Sequence, residues 1–536
     1  MTNSTQSYDA VVIGAGVAGL HQLHRLREQG LKVLCVEAAP GVGGTWYWNR
    51  YPGARFDSEG FVYQYFFSEE LYKGWSWSEK FPGQPEIERW LNYVADELDL
   101  RKDIRLSTTV AAARYDEKAK RWTVTTDKGD VIDAQFVIAC TGPLSAPLTD
   151  LFPGQDTFEG ETYYTARWPE MPVDLKGKRV AVIGNGSTGI QVIQTIAPEV
   201  KLLKVFSRTP QYTIPLKNPK YAEDDVKEYK SHYKEFAATI PTTFAGFHYD
   251  FYSKPWAELT PEQRREVYEK NWQDGSLKLW LGSFPELFVD EVANKEISEF
   301  IREKMRERIK DPALFDALIP STYGFGTRRA ALDTGYIETY FRDNVELISV
   351  KDNPIVAVKP KGVELANGDL HEVDVIIMAT GFDGATGALS RIDIRGRGGR
   401  SLKQEWSEDL RTMMGLQVYG YPNLFMTGAP LAPGAAFCNI PSCLQHQVDW
   451  ISNCIEYMRA KNKSVIEPVK EKQDEWVAHH DEIANSTLIV KTNSWYVGTN
   501  VKGKTHRLVA YVGGAGNYNA KCTEVASKGY EGFALS

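Results

Sequence analysis

Cysteine is scarce in this chain, and the cysteines that occur are scattered. The 536 residues contain six, and none forms a C-x-x-C pair. This spacing argues against a zinc site and against a disulfide framework, so we expect reduced thiols and no metal site. A disulfide reductase would need a redox-active cysteine pair, and that class of enzyme is therefore excluded.

Long apolar runs and an excess of basic charge are also missing. No apolar stretch reaches the roughly 18 residues of a membrane span. The net charge of −8 argues against nucleic acid or an anionic membrane surface as the main partner. The first ten residues are polar and lack the basic and apolar regions of a signal peptide. We therefore expect a cytoplasmic protein, a monomer or weak homo-oligomer, without a nucleic-acid or membrane partner.

One glycine pattern occurs twice in the chain. The first copy follows a short apolar strand-like run and consists of Gly14, Gly16 and Gly19, and the next strand-like run ends at Glu37. In a βαβ unit such glycines make the tight turn, admit a pyrophosphate and let the helix pack on the strand. The terminal acid accepts hydrogen bonds from a ribose. This copy predicts a dinucleotide site suited to the adenosine half of FAD.

The second copy differs at the position of the acid. The residues expected at this site are Gly184, Gly186, Ser187, Thr188 and Gly189, followed by Arg208 and Thr209 at the end of the next strand. A guanidinium can bind a 2′-phosphate bidentately, whereas a carboxylate would repel it. The second site is therefore predicted to bind NADP. A chain with both sites is most simply a flavoprotein that accepts hydride from NADPH.

Four further segments resemble a known family. They are "GVGGTWYWNRYPGARFDSEGFVY" after Glu37, "FEGETYYTARWP" from Phe158, "GFGTRRAALDTGYIETY" and "ATGFD". Together they are similar to the type I Baeyer–Villiger monooxygenases. The resemblance implies FAD and NADP as cofactors. It also implies O2-dependent insertion of one oxygen next to a ketone carbonyl, through a C4a-peroxyflavin, to give an ester or lactone. The apolar segment "GAPLAPGAAFCNIPSC" suggests a neutral cyclic or aliphatic ketone.

The chain departs from the family fingerprint F-x-G-x-x-x-H-x-x-x-W-P at one position. Phe158, Gly160, Trp168 and Pro169 are in register, but Tyr164 stands where the family has histidine. Tyrosine cannot carry a proton charge near neutral pH as histidine can. We expect altered coupling or rate rather than a different reaction class. A flavin N- or S-monooxygenase, an uncoupled NADPH oxidase and a nucleotide-sensing binding protein remain the alternatives.

The resemblance also assigns roles to individual residues. Arg329 matches the family's active arginine, and Asp57 matches an aspartate close to it. Arg328 replaces a lysine that helps to bind the NADP phosphate, and two alanines follow Arg329 where the family has a proline-containing pair. The remaining predicted cofactor contacts are Gly44, Thr45, Trp46, Trp48, Arg55, Tyr63, Val110, Asn439, Ile440 and Trp495.

The expected fold class is α/β, with two interleaved Rossmann-like dinucleotide-binding domains and a helical insertion. The FAD domain would comprise residues 1–145 and 380–536, with a mobile loop near 495–504. The NADP domain would comprise residues 146–217 and 322–379. The charge-rich, helix-prone segment 218–321 would form the insertion between them. Within it, Thr260 and Pro261 indicate the start of a helix and Gly275 its end.

Overall fold

Two sheets built largely from parallel strands organise the molecule. The structure, a computed structural model, describes residues 6–434 and 436–536; the first five residues of the polar N-terminal segment and one residue of the apolar "GAPLAPGAAFCNIPSC" segment lie outside it. The strands are β1 (Gln6–Ile13), β2 (Val33–Val36), β3 (Ile104–Arg105), β4 (Val110–Asp116), β5 (Arg121–Thr126), β6 (Val131–Ala139), β7 (Glu161–Tyr164), β8 (Arg179–Ile183), β9 (Leu202–Ser207), β10 (Thr213–Pro215), β11 (Ala331–Asp333), β12 (Val345–Ser349), β13 (Ile355–Lys359), β14 (Gly362–Leu365), β15 (Leu370–Glu372), β16 (Val375–Met378), β17 (Asp393–Arg395), β18 (Leu424–Met426), β19 (Ile466–Pro468) and β20 (Phe533–Leu535).

The α-helices lie between and around these strands. They are α1 (Val17–Glu28), α2 (Thr45–Trp48), α3 (Glu69–Gly74), α4 (Gln84–Glu97), α5 (Ser187–Ile196), α6 (Glu223–Ser231), α7 (Tyr233–Thr239), α8 (Pro261–Asp274), α9 (Lys278–Leu281), α10 (Glu291–Arg308), α11 (Phe315–Leu318), α12 (Tyr336–Thr339), α13 (Gly387–Ser390), α14 (Leu402–Glu408), α15 (Ile440–Ala460), α16 (Lys470–Asn485) and α17 (Ala515–Ser527). No helix in the described part of the chain is long and apolar enough to cross a membrane.

The first sheet combines strands from both ends of the chain. Its order is β17-β4-β5-β6-β1-β2-β3, and β18 also pairs with β6. The central strands β1, β2 and β6 pair in parallel, and their buried ends are continuous apolar runs because helices and loops cover both faces. Strands β17 and β18 enter this sheet from beyond residue 390, so the chain returns to it after building the second sheet.

The second sheet is parallel throughout. Its order is β12-β9-β8-β16-β7, and the four neighbouring pairs all run in parallel. Strand β16 is fully buried, as expected for the apolar segment "VIIM" at the centre of a covered sheet. The two interleaved Rossmann-like units of the predicted α/β fold are therefore confirmed. The domain boundaries given above stay predictions.

The segment between the two parts of the second sheet is helical. Helices α6 to α11 follow one another there. Helix α8 begins at the predicted signals, because Thr260 accepts a hydrogen bond from the Gln263 N–H and Pro261 occupies the first turn. It ends at Gly275, whose φ of 70° is left-handed and suits glycine. Both helix-boundary predictions are confirmed.

Candidate active site

A large cavity opens where the carboxyl ends of the two sheets face each other. Its volume is about 1750 Å³, and it reaches from the end of β1 at Ile13 to the end of β8 at Ile183. Ligands of open α/β sheets bind at this edge. Among the predicted site residues, all except Gly19, Gly189 and Asn439 line this cavity.

The first glycine turn joins β1 to α1. Gly14 has a φ of 103°, and a Cβ placed on it would lie 2.6 Å from the carbonyl oxygen of Cys140. A Cβ on Gly19 would overlap the carbonyl oxygen of Gly14, so the helix can pack on the turn only with glycine there. Gly16 lines the cavity directly before α1. The start of α1 therefore opens onto the cavity, and free N–H groups at a helix start can hold a phosphate.

Glu37 follows β2 and lies beside this turn. One of its carboxylate oxygens accepts a hydrogen bond from the Ala15 N–H at 2.6 Å, and the other accepts one from the Ala39 N–H at 2.7 Å. Burial raises the pKa of the Glu37 carboxyl, and these backbone hydrogen bonds oppose that effect. The carboxylate is thus held in one orientation at the cavity wall, where it can accept hydrogen bonds from a ribose.

The second glycine turn repeats this geometry between β8 and α5. Gly184 has a φ of 105°, and a Cβ on Gly189 would overlap its carbonyl oxygen. A Cβ on Gly186 would meet no atom within 4 Å, and Gly186 lines the cavity together with Ser187 and Thr188. The glycines of the second motif therefore have the same roles as those of the first. Gly189 lets the helix pack on the turn, and Gly186 lets a ligand in the cavity approach the backbone closely.

Two guanidinium groups lie at the end of the cavity served by the second motif. Arg208 and Thr209 follow β9 and line the wall, as does Arg328. The Arg328 guanidinium stacks over the Tyr323 ring, 4.3 Å from its centroid. Burial lowers the pKa of Arg328, Tyr323 opposes this effect and Arg208 adds to it. Two cations that repel each other in a partly buried wall can hold a doubly charged phosphate.

Arg329 and Asp57 meet between the two dinucleotide sites. Arg329 Nη2 donates to Asp57 Oδ2 at 2.8 Å, and Nε donates to the same oxygen at 3.2 Å. The guanidinium also lies 5.4 Å from the centroid of the Trp280 ring, and Nη1 donates to the carbonyl oxygen of Ala436. Burial would lower the pKa of Arg329, but Asp57, Tyr496 and Tyr249 together outweigh this effect and the pKa is raised. A fixed positive charge therefore faces the centre of the cavity.

Aromatic and small residues form the wall next to the first motif. Trp46 Nε1 donates a hydrogen bond to the Tyr63 hydroxyl at 2.8 Å, and both rings are buried. Gly44 has a φ of 55°, and a Cβ there would lie 3.0 Å from the Cα of Gly16. The remaining predicted residues of this wall are Thr45, Trp48 and Val110. Close packing of this kind excludes water from one side of the cavity.

Arg55 and Asn439 are engaged within the protein. Arg55 Nη1 lies 3.4 Å from a Glu79 carboxylate oxygen and donates to the carbonyl oxygen of Phe81. Asn439 is 0% exposed; its amide accepts from the Ser58 hydroxyl and donates to the carbonyl oxygen of Val62. Its side chain thus joins the start of α15 to the segment after Asp57 and does not reach the cavity. The next residue, Ile440, does line the cavity.

The loop that carries Trp495 is folded over the cavity. Trp495 lines it and packs against the backbone of Gly384. Lys504 Nζ forms an ion pair with Asp383 at 2.6 Å and donates to the carbonyl oxygen of Gly384 at 2.7 Å. Asn500 donates to the carbonyl oxygen of Phe382 at 2.8 Å. These contacts hold the loop against the turn that follows β16.

The fingerprint segment points in two directions. The Tyr164 hydroxyl accepts a hydrogen bond from Gln155 Nε2 at 2.7 Å, and its ring packs into the core of the second sheet with Phe158. Arg167, three residues later, lines the cavity. Tyr164 does not line it. Arg167 was not among the predicted site residues, although it lies in the same short segment as Tyr164.

Other lining residues carry no recognisable pattern in the sequence. Tyr51 donates to Gln191 at 2.8 Å and so joins the segment after α2 to the second motif. Burial raises the pKa of Tyr51 to about 12. Arg391, which follows α13, also lines the wall. The sequence shows that Arg391 is a basic residue just before the chain returns to the first sheet. Nothing in the spacing of the neighbouring residues indicates that its side chain faces a ligand.

Two of the cysteines lie side by side. Cys438 and Cys443 have Cα atoms 6.4 Å apart, and the expectation of reduced thiols stays a prediction. They are close because α15 begins between them and its first turn brings Cys443 back towards the preceding loop. The other cysteines, Cys35, Cys140, Cys454 and Cys522, are free and buried. No group of side chains in the described residues could hold a metal ion.

Comparison with known proteins agrees with this geometry. Residues 8–218 match the model of the flavin-binding monooxygenase-like family. The chain is 62% identical to an acetone monooxygenase (methyl acetate-forming) from Gordonia sp. (strain TY-5), with 99% of this chain and 100% of the relative covered.

Two crystal structures have the same fold along almost the whole chain. A closed form of cyclohexanone monooxygenase superposes with a TM-score of 0.96 at 40% identity, covering 99% of this chain and 100% of the other. The complex of OTEMO with FAD and NADP superposes with a TM-score of 0.95 at 38% identity, with the same coverage. The family indicated by the sequence motifs is confirmed, and the chain belongs to the Baeyer–Villiger monooxygenases.

Proposed function

We propose that this enzyme uses FAD, NADPH and O2 to insert one oxygen atom next to the carbonyl of a small ketone, which gives an ester or a lactone. NADPH and a solvent proton supply the hydrogen for the second oxygen atom, which leaves as water. The observation that carries the proposal is the Arg329–Asp57 pair, which lies buried between the two dinucleotide motifs.

The two ends of the cavity divide the cofactors between them. The first glycine turn and Glu37 fit the pyrophosphate and ribose of FAD, because a helix start and a fixed carboxylate lie side by side there. The second glycine turn with Arg208 and Arg328 fits NADP, whose 2′-phosphate matches two guanidiniums. FAD, when bound, supplies the redox and oxygen-activating chemistry, and the protein supplies position and charge.

Arg329 provides the positive charge that the reaction needs. Negative charge develops on the ketone oxygen as its carbonyl carbon is attacked, and a preorganised cation in a dry site stabilises it strongly. Asp57 accepts two N–H groups of Arg329 on one oxygen, and each terminal nitrogen keeps a second N–H beyond its bond to Asp57 or to Ala436. Asp57 therefore orients the guanidinium, and burial keeps its field unscreened by water.

The ketone is proposed to be short and acyclic. Three rings pack together near Arg329. Its guanidinium lies over Trp280; Trp280 and Phe437 have centroids 5.5 Å apart, and Phe437 and Tyr496 have centroids 5.0 Å apart. The relative with 62% identity is named for acetone, and that name supports a short methyl ketone for this chain. The predicted cyclic ketones remain the comparison class.

The test is product analysis with the purified protein. Acetone, butanone and cyclohexanone would each be supplied with NADPH in aerated buffer, and ester or lactone would be measured against NADPH consumed and hydrogen peroxide released. We expect ester from the two acyclic ketones in near-equal amount to NADPH. NADPH consumption that yields peroxide alone would contradict the proposal, as would oxidation of a sulfide without any product from a ketone.

A further inference from the structure

The cavity contains a second pair of arginines that no predicted role accounts for. Arg167 and Arg391 both line it, and the charge of Arg391 lowers the pKa of Arg167. The first pair, Arg208 with Arg328, matches a 2′-phosphate. Arg167 and Arg391 lie instead on the side of the cavity that holds Glu37, which is the opposing charge felt by Arg167.

Arg167 is held in place by neutral partners. Its Nη1 donates to the carbonyl oxygen of Ala166 at 2.7 Å and its Nη2 to that of Ser145 at 3.0 Å. The guanidinium lies over the Trp48 ring, 4.4 Å from the centroid. Burial lowers the pKa of Arg167, and Arg391 lowers it further. The side chain is therefore oriented by the fold before any ligand arrives.

Arg391 is anchored in the same way. It follows α13, and its Nη2 donates to the carbonyl oxygen of Pro147 at 2.9 Å. Neither Arg391 nor Arg167 forms an ion pair with a carboxylate of the described residues. Glu37 forms no ion pair with either of them, although its charge acts on Arg167, and both of its oxygens already accept backbone N–H groups.

Two guanidiniums that line one cavity and form no ion pair repel each other. An anion that binds between them removes this repulsion and is therefore bound favourably. We propose that Arg167 and Arg391 form a binding site for a phosphate group of a dinucleotide cofactor. Guanidinium groups bind phosphate bidentately, and both side chains have donors that remain free for it. The inference rests on the proposed function, since it takes FAD and NADP as the molecules in the cavity.

This site also explains how the fingerprint segment can act on the cofactors in this chain. Tyr164 is bonded to Gln155 inside the second sheet's own core. Arg167 is the charged residue of the segment that lines the cavity, and its backbone partner Ser145 lies in the connection between the two sheets. A phosphate held by Arg167 would tie the fingerprint segment to a cofactor without the histidine of the family motif.

The test measures cofactor binding in the FAD-loaded enzyme without turnover. Arg167→Gln and Arg391→Gln would be compared with Arg114→Gln, which changes an exposed arginine paired with Asp393. FAD release after dilution would be followed by flavin fluorescence, and the Kd of NADP+ by titration calorimetry. We expect either the FAD release rate or the NADP+ Kd to rise about tenfold in the two variants and neither to change in the control. A faster FAD release would show that the site binds a phosphate of FAD, and a higher NADP+ Kd would show that it binds a phosphate of NADP.

Arg167→Lys separates charge from packing. A lysine keeps the positive charge, so the FAD release rate or NADP+ Kd should return to within about threefold of the wild type. It cannot reproduce the guanidinium that stacks over Trp48, so the return should not be complete. Unchanged FAD release and NADP+ binding in both glutamine variants would overturn the proposal. So would a lysine variant as impaired as Arg167→Gln. Because no ketone is present, failure to form ester would refute the proposed function and leave this result standing.

Discussion

Arg329 depends on Asp57 for its orientation and on burial for its strength. The two side chains are 272 residues apart in the chain, and both sit at the junction of the cofactor sites. Arginine rather than lysine suits this position, because two of its N–H groups bond one Asp57 oxygen while the third nitrogen faces Ala436. Its contribution can therefore be separated into charge and geometry.

Replacement of Arg329 tests that separation. Arg329→Ala is expected to lower the rate of ester formation by about a hundredfold or more, since a preorganised donor to a developing oxyanion is removed. Arg329→Lys should fall between the alanine variant and the wild type. Ester yield per NADPH would be measured by gas chromatography, with the exposed Arg265→Ala as control. An alanine variant that forms ester at the wild-type rate would show that the charge is not required.

Glu59 lies two residues after Asp57, and its surroundings destabilise the ionised form of its carboxyl group. It is 2% exposed, and the nearest cation, Lys80 Nζ, lies 4.0 Å from its carboxylate. Burial raises the pKa of Glu59 to about 7, against the opposing effect of Lys80. The folded protein thus favours the protonated form. The resulting stabilisation is complete below the ordinary pKa of 4.5 and is lost as the pH rises through about 7.

Glu59→Gln should remove that pH dependence. The amide stays neutral, so the fall in the melting temperature between pH 5 and pH 8 is expected to be smaller in the variant than in the wild type. At pH 8 the free energy of unfolding of Glu59→Gln should exceed that of the wild type by at most about 3 kcal/mol. Thermal unfolding across this range, with the exposed Glu70→Gln as control, makes the measurement. Parallel curves for wild type and Glu59→Gln would contradict the assigned cost of burial.

The two βαβ units show that one backbone design serves opposite ligand chemistry. Gly14 and Gly184 have nearly the same left-handed φ, 103° and 105°, and each turn is closed by a helix that requires glycine one turn later. Glu37 and Arg208 then give the units different charge at equivalent strand ends. The conformation of each turn is thus set by the space that only glycine leaves. The ligand preference of each unit is set by the charge of one side chain, Glu37 or Arg208.

Substitution of the second motif separates packing from ligand approach. Gly189→Ala is expected to destabilise the fold by about 1–3 kcal/mol, because its Cβ would overlap the Gly184 carbonyl oxygen. Gly186→Ala should leave the melting temperature unchanged, since its Cβ would meet open space, and should weaken NADP+ binding. Thermal unfolding without NADP+ and calorimetry with it distinguish the two. Equal destabilisation by both alanines would refute this division.

The loop between Trp495 and Lys504 is closed by few contacts. The Lys504–Asp383 ion pair is largely shielded, with side-chain exposures of 14% and 28%, so it contributes more than an exposed pair would. Lys504→Met is expected to raise the NADP+ Kd about fivefold and to speed hydrogen exchange in this loop. The control is Lys502→Met, because Lys502 is exposed. Unchanged exchange in Lys504→Met would show that the loop closes by other contacts.

The molecule as a whole is organised around a cavity that the cofactors are expected to fill. Both sheets and the C-terminal loop contribute to its wall. Occupancy should therefore stabilise the whole fold by mass action, by about 2.7 kcal/mol at a ligand concentration of one hundred times Kd.

Thermal stabilisation by nicotinamide dinucleotides tests the charge at the second site. NADP+ is expected to raise the melting temperature of the FAD-loaded enzyme more than the same concentration of NAD+, since Arg208 and Arg328 line the cavity and are proposed to hold the 2′-phosphate. Arg208→Ala should abolish the difference between the two. Equal stabilisation of the wild type by NAD+ and NADP+ would remove the basis for assigning this site to NADP.

The amino-acid order alone was enough to locate the two dinucleotide motifs, the family and the boundaries of α8. These features are local: glycine spacing, a terminal charge and helix caps act on neighbouring residues, so their pattern survives in one dimension. The departure at Tyr164 was visible too, but not that its side chain faces the core of the second sheet.

Folding decided which distant side chains share the cavity. Asp57 meets Arg329, and Arg167 and Arg391 line one cavity, because the chain leaves the first sheet, builds the second and returns. The same return places Asn439 inside the protein, bonded to Ser58 and Val62, although its neighbour Ile440 reaches the cavity. Such placements depend on burial and packing between segments far apart in sequence. No local spacing encodes them.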